Sequence, residues 1–438
     1  MKRLISLLLA AWTLTAALAQ NTLAQEQVTA NYRRSASNHY AYPIPGDMAA
    51  PRLTPAPAGY EPFYIDHYGR HGSRWMTSDG AYSRPVRQLE RADAAGVLTV
   101  QGKKLLASLK RVLAASEGRV GDLSDVGAEQ HQGIARRMME NFPEVFSGNA
   151  RIDARSTVII RCILSMQNET MTMRAANPDL QITTDASYHD MHYMGWGYGE
   201  DTLASPIRAK MKLLTDSLYA VSVYPSRFVR QLIADTAYAA HQIDGQQLML
   251  DVFGVAGILQ SHHQFDDLSL FHYFTNDEIF DLWRLRNIYW YVHWANAPAN
   301  GNRMPMVERA LLRDMIEKAD SAIALGTRGA SLRFGHETCV LPLACLMELD
   351  NVNYSTDNLE ELHLNWQDYN IIPKGCNIQM VFYRPVAGNG DILVKVLFNE
   401  HEAKLPVPTV DGPYCRWNDL REHYLRKTAM PTDWKAGL

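Results

Sequence analysis

The sequence predicts an α/β protein in which a sheet domain is interrupted by an all-helical insertion. Strand patterns alternate with helix patterns near both ends of the chain. Between residues 185 and 325 the strand patterns nearly vanish, and helical segments follow one another. A chain of 438 residues is long enough to form two or three domains with their own hydrophobic cores, or one large domain with an insertion.

The composition disfavours two broad classes of protein. Apolar residues make up 47% of the chain, and 43 Lys+Arg against 47 Asp+Glu leave a formal charge of −4 with His neutral. An ordinary apolar fraction with a small charge excess is not that of a disordered chain. Because there is no net basic excess, we expect no nucleic acid among the partners.

The N-terminus has the pattern of a secretory signal peptide, predicted over residues 1–24. Two basic residues precede an apolar run over 4–12, and small-residue cleavage sites end at Ala19 and Ala24. An uncleaved anchor is disfavoured because the run is short for a membrane span. We expect a mature chain without a membrane span, exported to the periplasm or to the extracellular space.

The sheet domain is predicted in two parts, 25–184 and 326–438. The first part opens with an irregular arm over 25–62. Its elements are then, in chain order, a strand over 63–68, helices that contain 105–113 and 134–142, a strand over 150–155 and a helix over 158–176. Ser156-Thr157 is expected to cap the last helix, and Asn177-Pro178 to end it.

The insertion, 185–325, is predicted as an all-α cap. Its helices are expected over 207–222, 226–242, 245–261, 276–295 and 305–325. One of them carries five Trp and Tyr residues, at a spacing more typical of core packing than of a ligand platform: Trp283, Tyr289, Trp290, Tyr291 and Trp294.

The second part of the sheet domain begins with an alternating segment over 330–335, which predicts a strand that leads into a helix. Two further strands are predicted over 378–383 and 392–398, and the hairpin signal Gly388-Asn389-Gly390-Asp391 separates them. Strands and helices therefore alternate at both ends of the chain.

Five cysteines occur, at an odd count and without a C-x-x-C pattern, which disfavours a disulfide scaffold or a zinc knuckle. Cys376 and Cys415 flank the C-terminal strands. The sequence leaves open whether they pair.

Three polar features follow predicted strands directly. They are Arg70-His71-Gly72-Ser73-Arg74, Arg161 early in a helix, and His336-Glu337. Ligands of open α/β sheets bind at the carboxyl ends of strands, so these features are expected to line one crevice. Each has a simpler reading alone, as a surface loop, a salt-bridge partner or a polar turn, and their conjunction favours a site.

The arginines indicate the ligand. Arg70, Arg74 and Arg161 carry guanidinium groups that match phosphate oxygens, and three of them suit a compact dianion. Neighbouring positive charge lowers the pKa of His71 and keeps its imidazole neutral, as a nucleophile requires.

His336 supplies a second donor to the phosphate, and Glu337 a proton donor for the leaving oxygen. Together with His71 and the arginines, these groups form a complete metal-free set for phosphoryl transfer. A separate H-x-x-H pattern in His189-Asp190-Met191-His192 lacks further ligands and is read as a polar loop rather than a metal site.

The segment Tyr68-Gly69-Arg70-His71-Gly72-Ser73-Arg74 resembles the signature of the histidine phosphatase superfamily. It is most similar to the branch of acid phosphatases, phytases and multiple inositol polyphosphate phosphatases. Further similar segments, in the same order over residues 60–425, are Leu123 to Gly127 with Arg136 to Met138, Ser156-Thr157 with Arg161-Cys162 and Ser165, Phe334 to Thr338 with Leu341 to Leu343, and Leu397 to Glu400 with Leu405-Pro406 and Gly412 to Cys415.

The resemblance implies a mixed sheet sandwiched by helices, with an all-α cap inserted. It also implies that His71 carries a phosphohistidine, that Arg70, Arg74, Arg161 and His336 hold the phosphoryl oxygens, and that Glu337 protonates the leaving alcohol. No metal or organic cofactor is implied. The expected substrate is a phosphate monoester, with an inositol polyphosphate such as phytate first. The alternatives are a broad acid or sugar-phosphate phosphatase and a catalytically inactive phospholigand-binding homologue.

Two positions depart from the branch. Met76 stands where the branch usually has Pro, which is expected to alter the pocket wall. Glu337 follows His336 directly, where relatives show His-Asp or His-Ala-Glu, and Glu is one methylene longer than Asp. Because of this departure, the His336-Glu337 motif does not distinguish between the subgroups of the branch.

A polyphosphorylated substrate needs basic residues around the pocket rim. The cap offers five candidates, for each of which a solvated helix face is an equal alternative: Arg208, Lys210, Lys212, Arg227 and Arg230. Activity is expected on the acid side, because the donor must be protonated while His71 stays neutral.

Overall fold

The computed structural model describes residues 23–42, 52–195, 204–387 and 390–429. Residues 1–22 of the predicted signal peptide and Gly388-Asn389 of the predicted hairpin lie outside these ranges. No helix among the described residues has the length and apolarity needed to cross a membrane.

Within the described ranges, eight strands form one mixed sheet. They are β1 (Tyr60–Arg70), β2 (Arg151–Ser156), β3 (Gln181–Asp185), β4 (Gly329–Gly335), β5 (Asn377–Pro385), β6 (Leu393–Phe398), β7 (His401–Glu402) and β8 (Cys415–Arg416). The order across the sheet is β3-β2-β4-β1-β5-β6-β7, and β8 pairs with β6. The strands from β3 to β1 run parallel, whereas β5 and β6 are antiparallel to their neighbours.

The helices lie between and around these strands. They are α1 (23–30), α2 (Asp79–Ala94), α3 (Val100–Ser116), α4 (Asp125–Asn141), α5 (Ile160–Ala176), α6 (Met191–Met194), α7 (Ala204–Ser222), α8 (Ser226–Leu232), α9 (Thr236–Gln242), α10 (Gly245–Ile258), α11 (Asn276–Trp294), α12 (Arg309–Leu325), α13 (Glu337–Leu346), α14 (Leu362–Asn365), α15 (Asp368–Ile371) and α16 (Trp417–Thr428). The longest of the short 3-10 helices spans Tyr32–His39.

Helices cover both faces of the sheet. Successive side chains of a strand point to opposite faces, so Tyr64 packs with α12, α13 and α16, whereas Ile65 packs with α4 and α5. A third buried cluster joins α2 and α3 to α8, α10 and the first half of α11. The predicted mixed sheet between helices is thereby confirmed.

The limits of the cap, 185–325, remain a prediction. Helix α12 lies within them and packs against β1, so this helix covers the sheet. Helices α2 and α3 lie outside them and pack against α10 and α8.

The predicted cap of α5 is wrong. Ser156 is the last residue of β2, and the backbone N–H of Thr157 still donates to Phe334 O, at 3.0 Å. The helix begins two residues later than predicted, and its N-cap, Ile159, makes no side-chain capping bond. Pairing with β4 therefore extends the strand through the residues that were expected to cap the helix.

The structure shows the state of all five cysteines. Cys162, Cys339, Cys345, Cys376 and Cys415 are all buried free thiols. Cys376 and Cys415 form no disulfide in the described structure.

Candidate active site

The sheet register brings the three polar features to one edge. Arg70 at the end of β1 pairs with Gly335 at the end of β4, and Ser156 at the end of β2 pairs with Phe334. The chain continues in register for one more step, because the His71 N–H donates to Gly335 O at 2.9 Å. His71 and His336 therefore leave neighbouring strands side by side.

His71 has a defined tautomer. Its ring is buried, and Nδ1 lies 2.8 Å from the carbonyl oxygen of Gly72. A carbonyl only accepts hydrogen bonds, so Nδ1 carries the proton and Nε2 keeps a free lone pair. Burial lowers the pKa of His71, and the charges of Arg161 and Lys374 lower it further, so the ring is neutral. This arrangement leaves Nε2 available as a nucleophile.

The backbone at Gly72 is fixed by close packing. A Cβ built on Gly72 would lie 2.4 Å from the carbonyl oxygen of Gly127, in the first turn of α4. The Gly72 N–H also donates to Ser165 Oγ of α5, at 3.2 Å. Glycine at position 72 therefore lets two helices pack directly against the loop that carries His71.

Arg70 is buried and holds a carboxylate. One guanidinium nitrogen, Nη1, donates to the backbone oxygens of Asn38 and Ile372, each at 2.7 Å. The other, Nη2, donates to Glu337 Oε1 at 2.7 Å. Two backbone contacts thus orient the guanidinium so that its remaining edge faces the pocket.

Arg74 and Arg161 complete a cluster of three arginines. Arg74 donates from Nη1 to Trp75 O at 2.8 Å, and burial together with Arg161 and Arg70 lowers its pKa to about 10 although Glu337 opposes this shift. Arg161 lies in the first turn of α5, and among the neighbouring charges it lowers the pKa of His71 most. The buried Nε atoms of Arg70, Arg74 and Arg161 have no partner within the described ranges. Unmet donors on three cations favour an anionic ligand.

Glu337 is the first residue of α13, and it faces His71. Its Oε2 lies 3.8 Å from His71 Nε2, and its Oε1 accepts from Arg70 and, at 2.8 Å, from Asn38. Burial would raise the pKa of this carboxyl, but Arg70, Lys374 and Arg74 hold it well below the usual range. Glu337 is therefore ionised in the ligand-free pocket.

His336 lies next to His71, with ring centroids 5.6 Å apart at an interplanar angle of 73°. Its Nε2 lies 3.4 Å from Thr157 Oγ1 and 3.7 Å from Cys162 Sγ. Burial and then Arg161 lower its pKa to about 4, so the ring is neutral at mildly acid pH. The structure thus brings together all six residues predicted from the sequence.

Sequence reasoning missed two contributors. Asn38 belongs to the predicted irregular arm and lies beside Glu337, in a 3-10 helix that Ser37 interrupts with a φ of 61°. Lys374 is fully buried in the loop before β5. Neither has a local sequence signal, because both approach the motif only through the fold.

The same site contains a possible metal-binding group. One ligand atom each from His71, His336 and Glu337 lies within 4.8 Å of the others, and among the described residues no further group of three is this close. The surrounding arginines oppose a cation here. His189 and His192 contact each other edge to face at 6.3 Å, with no third ligand in the described part of the chain.

A cavity of about 820 Å³ lies among α7, α10 and α11. Arg208, Lys212, Tyr289 and His293 line it, as does Asp216, which pairs with Lys212. Burial raises the pKa of Tyr289, and the charges of Arg208 and Glu337 both act on it, so this tyrosine lies within electrostatic range of the site. Tyr289 is 37% exposed, whereas the other four Trp and Tyr residues of its helix are buried as predicted.

The other rim candidates lie elsewhere. Arg227 forms an ion pair with Glu278, and Arg230 is exposed on α8. Lys210 is exposed on α7 and is absent from the cavity lining.

Comparison with known proteins gives structural neighbours only. No protein-family model and no curated protein matches the sequence. The solved structure of the Bifidobacterium longum multiple inositol polyphosphate phosphatase, in complex with inositol hexasulfate, superposes with a TM-score of 0.74 at 18% identity, over 92% of this chain and 100% of that chain. The phytase of D. castellii gives 0.62 at 14% identity over 91% and 85%, and the apo phytase of Hafnia alvei gives 0.52 at 13% over 86% and 100%.

Identities this low establish the fold alone. The expectation drawn from the motifs is met at that level: the chain has the fold of the multiple inositol polyphosphate phosphatases and phytases.

Proposed function

We propose that this protein is an exported, metal-independent phosphomonoesterase that acts through a phosphohistidine at His71, with inositol polyphosphates such as phytate as substrates. One observation carries the proposal. The free Nε2 of a neutral, buried His71 faces a pocket whose walls are the three arginines. A neutral imidazole held against an anion site is the nucleophile that phosphoryl transfer needs.

The first step breaks the ester. His71 Nε2 attacks phosphorus, the bond from phosphorus to the ester oxygen breaks, and the leaving alkoxide takes a proton from the Glu337 carboxylic acid. Arg70, Arg74 and Arg161 stabilise the charge on the transferred oxygens.

The second step restores the enzyme. Water attacks phosphorus and gives a proton to the Glu337 carboxylate, and the bond from phosphorus to His71 breaks. Inorganic phosphate leaves, and Glu337 is again the acid for the next turnover.

Substrate binding is what makes Glu337 an acid. Its carboxylate is ionised while it is the anionic partner of Arg70. A bound phosphate dianion takes over that role and neutralises the arginines, so the pKa of Glu337 rises in the complex. Glu337 therefore carries the proton that it donates only when substrate is bound.

The cap cavity supports the substrate class. Arg208 and Lys212 line a cavity of about 820 Å³, together with Asp216, which pairs with Lys212. Glu337 acts on the pKa of Tyr289 in the cavity wall, so we place the further phosphates of an inositol ring here, against Arg208 and Lys212. The solved relative from Bifidobacterium longum is a multiple inositol polyphosphate phosphatase with inositol hexasulfate bound, which agrees with a ligand of this shape.

One observation favours a second candidate, an inactive phospholigand-binding protein. Glu337 is tied to both Arg70 and Asn38, so its carboxylate is held in the pocket as an ion. Turnover separates the two: a binding protein would take up phosphorylated ligand and release no phosphate.

The test is phosphate release from phytate and from an aryl phosphate, with a chelator present, by the wild type, His71→Ala and Glu337→Gln. Release from phytate that is lost in His71→Ala supports the proposal. Release from the aryl ester alone would support the proposed phosphatase chemistry and contradict the inositol polyphosphate substrate. No release from either ester would favour the phospholigand-binding protein.

A further inference from the structure

Lys374 lies in the loop that supports the catalytic motif. Ile372 O accepts from the Arg70 side chain at 2.7 Å, and Cys376 O accepts from the Arg70 N–H at 2.8 Å. Between them, the Gly375 N–H donates to His71 O at 3.1 Å, and Lys374 itself donates from its backbone to Tyr40 O at 2.8 Å. The backbone at Lys374 is therefore fixed directly behind Arg70 and His71.

The Lys374 ammonium group is buried and unpaired. The side chain is 0% exposed, and Nζ has no hydrogen-bond partner in the part of the chain that the structure describes. A buried polar group without a partner is costly and is found where a ligand or a reaction uses it. Burial, then Arg70 and Arg74, lower the pKa of Lys374 well below its ordinary value, and the Glu337 carboxylate only partly opposes this shift.

The charge of Lys374 acts on the reacting groups. It ranks second, after Arg161 and before Arg70 and Arg74, among the charges that lower the pKa of His71. It also ranks second, after Arg70, among those that lower the pKa of Glu337. The Lys374 side chain therefore lies close enough to both reacting groups for its charge to act on each of them.

We propose that Lys374 is a fourth cationic ligand of the phosphoryl group, alongside Arg70, Arg74 and Arg161. This inference rests on the phosphate site proposed above. The ligand class is a phosphate monoester dianion, or inorganic phosphate as product, and Nζ donates to its oxygens. A bound dianion supplies the hydrogen-bond acceptor that Nζ lacks, and its negative charge keeps the amine protonated against burial and the neighbouring arginines.

A matched pair of buried lysines tests the proposal. Lys395 is also buried, but it has three partners: Glu402 Oε1 at 2.9 Å, Thr54 O at 2.8 Å and Tyr414 Oη at 3.2 Å. Lys374→Met and Lys395→Met remove the same charge and leave a similar apolar stem. Binding of inorganic phosphate to the full-length protein is measured by calorimetry, and thermal unfolding is followed with and without phosphate.

We expect Lys374→Met to unfold at or above the wild-type temperature and to bind phosphate about ten- to a hundredfold more weakly. Phosphate should therefore raise its unfolding temperature less than that of the wild type. Lys395→Met should unfold at a lower temperature and bind phosphate with wild-type affinity. Lys374→Arg, which keeps the charge, should retain most of the affinity.

Two results would overturn the proposal. One is wild-type phosphate affinity in Lys374→Met. The other is a Lys374→Met protein that does not fold, because this would show that the lysine supports the fold. The assay measures phosphate binding, so it tests Lys374 even if the protein turns over no substrate. A failure of the proposed reaction is thereby distinguished from a failure of Lys374 to bind phosphate.

Discussion

Oε2 of Glu337 lies 3.8 Å from Nε2 of His71. A nucleophile alone needs about 3–3.5 Å to the atom it attacks. A phosphoryl group and its leaving oxygen do not fit in this gap, so the Glu337 carboxylate must move aside when substrate enters. The Glu337 carboxylate therefore occupies the position that the phosphoryl group of a substrate would take.

The first prediction concerns this displacement. Glu337→Gln removes the negative charge that competes for Arg70 and also removes the proton donor. We expect kcat for phytate to fall about 10²- to 10⁴-fold while KM and the inhibition constant of phosphate decrease. An aryl phosphate, whose leaving group needs less protonation, should lose less. Steady-state kinetics on both substrates decide, and equal losses with unchanged KM would count against the role of Glu337.

The second prediction concerns pH. Burial and Arg161 lower the pKa of His71 below its ordinary 6.5, so the folded protein keeps a neutral ring as the pH falls through 6.5. The value of kcat/KM for an aryl phosphate should therefore show no loss centred near pH 6.5. The value of kcat should fall as rising pH deprotonates Glu337 in the complex, and this limb should be missing in Glu337→Gln. A one-proton loss of kcat/KM near pH 6.5 would show instead that the ring titrates normally.

The third prediction concerns the cap. The double substitution Arg208→Ala/Lys212→Ala removes two cations that line the cavity, and Lys210→Ala/Arg230→Ala removes two exposed cations outside its lining. The first pair should raise KM for phytate about tenfold at low salt, and less at high salt, with little effect on an aryl phosphate. Equal effects of both pairs would indicate a general effect of net charge.

The fourth prediction concerns processing. Ala24 and Val28 of α1 are buried against the cluster of α10 and α11. Cleavage after Ala19 leaves this helix whole, whereas cleavage after Ala24 removes its first packed side chain. The packing of Ala24 thus favours cleavage after Ala19 over the signal-peptide end at Ala24 predicted from the sequence, and we expect N-terminal sequencing of the exported protein to begin at Gln20. A mature chain that starts at Gln25 would show that the Ala24 contact is dispensable.

The elements that carry the site were predictable where local patterns coincide with tertiary pairing. The alternation over 63–68 predicted the centre of β1, and β1 indeed runs into Arg70. The alternation over 330–335 likewise predicted β4, which leads to His336. Parallel pairing of these two strands then places both polar turns at one edge, as the general rule for such sheets requires.

Other features depend on contacts that local patterns do not contain. The edge strand β3 is short and largely exposed, so it has little apolar alternation to reveal it. The expected cap at Ser156-Thr157 failed because pairing with β4 continues past it. Asn38 and Lys374 come from distant segments. Only the folded chain shows that Asn38 donates to Glu337 and that the charge of Lys374 lowers the pKa of the same carboxyl group.

The central claim is that His71 Nε2 becomes covalently phosphorylated. The most direct measurement is an alkaline quench of the full-length enzyme during turnover of an aryl phosphate, followed by mass spectrometry of the intact protein and of its peptides. We predict one added phosphoryl group on His71, at Nε2 because Nδ1 is committed to Gly72 O, and none in His71→Ala. Sustained phosphate release by a wild-type enzyme that never carries phosphate on His71 would contradict the account.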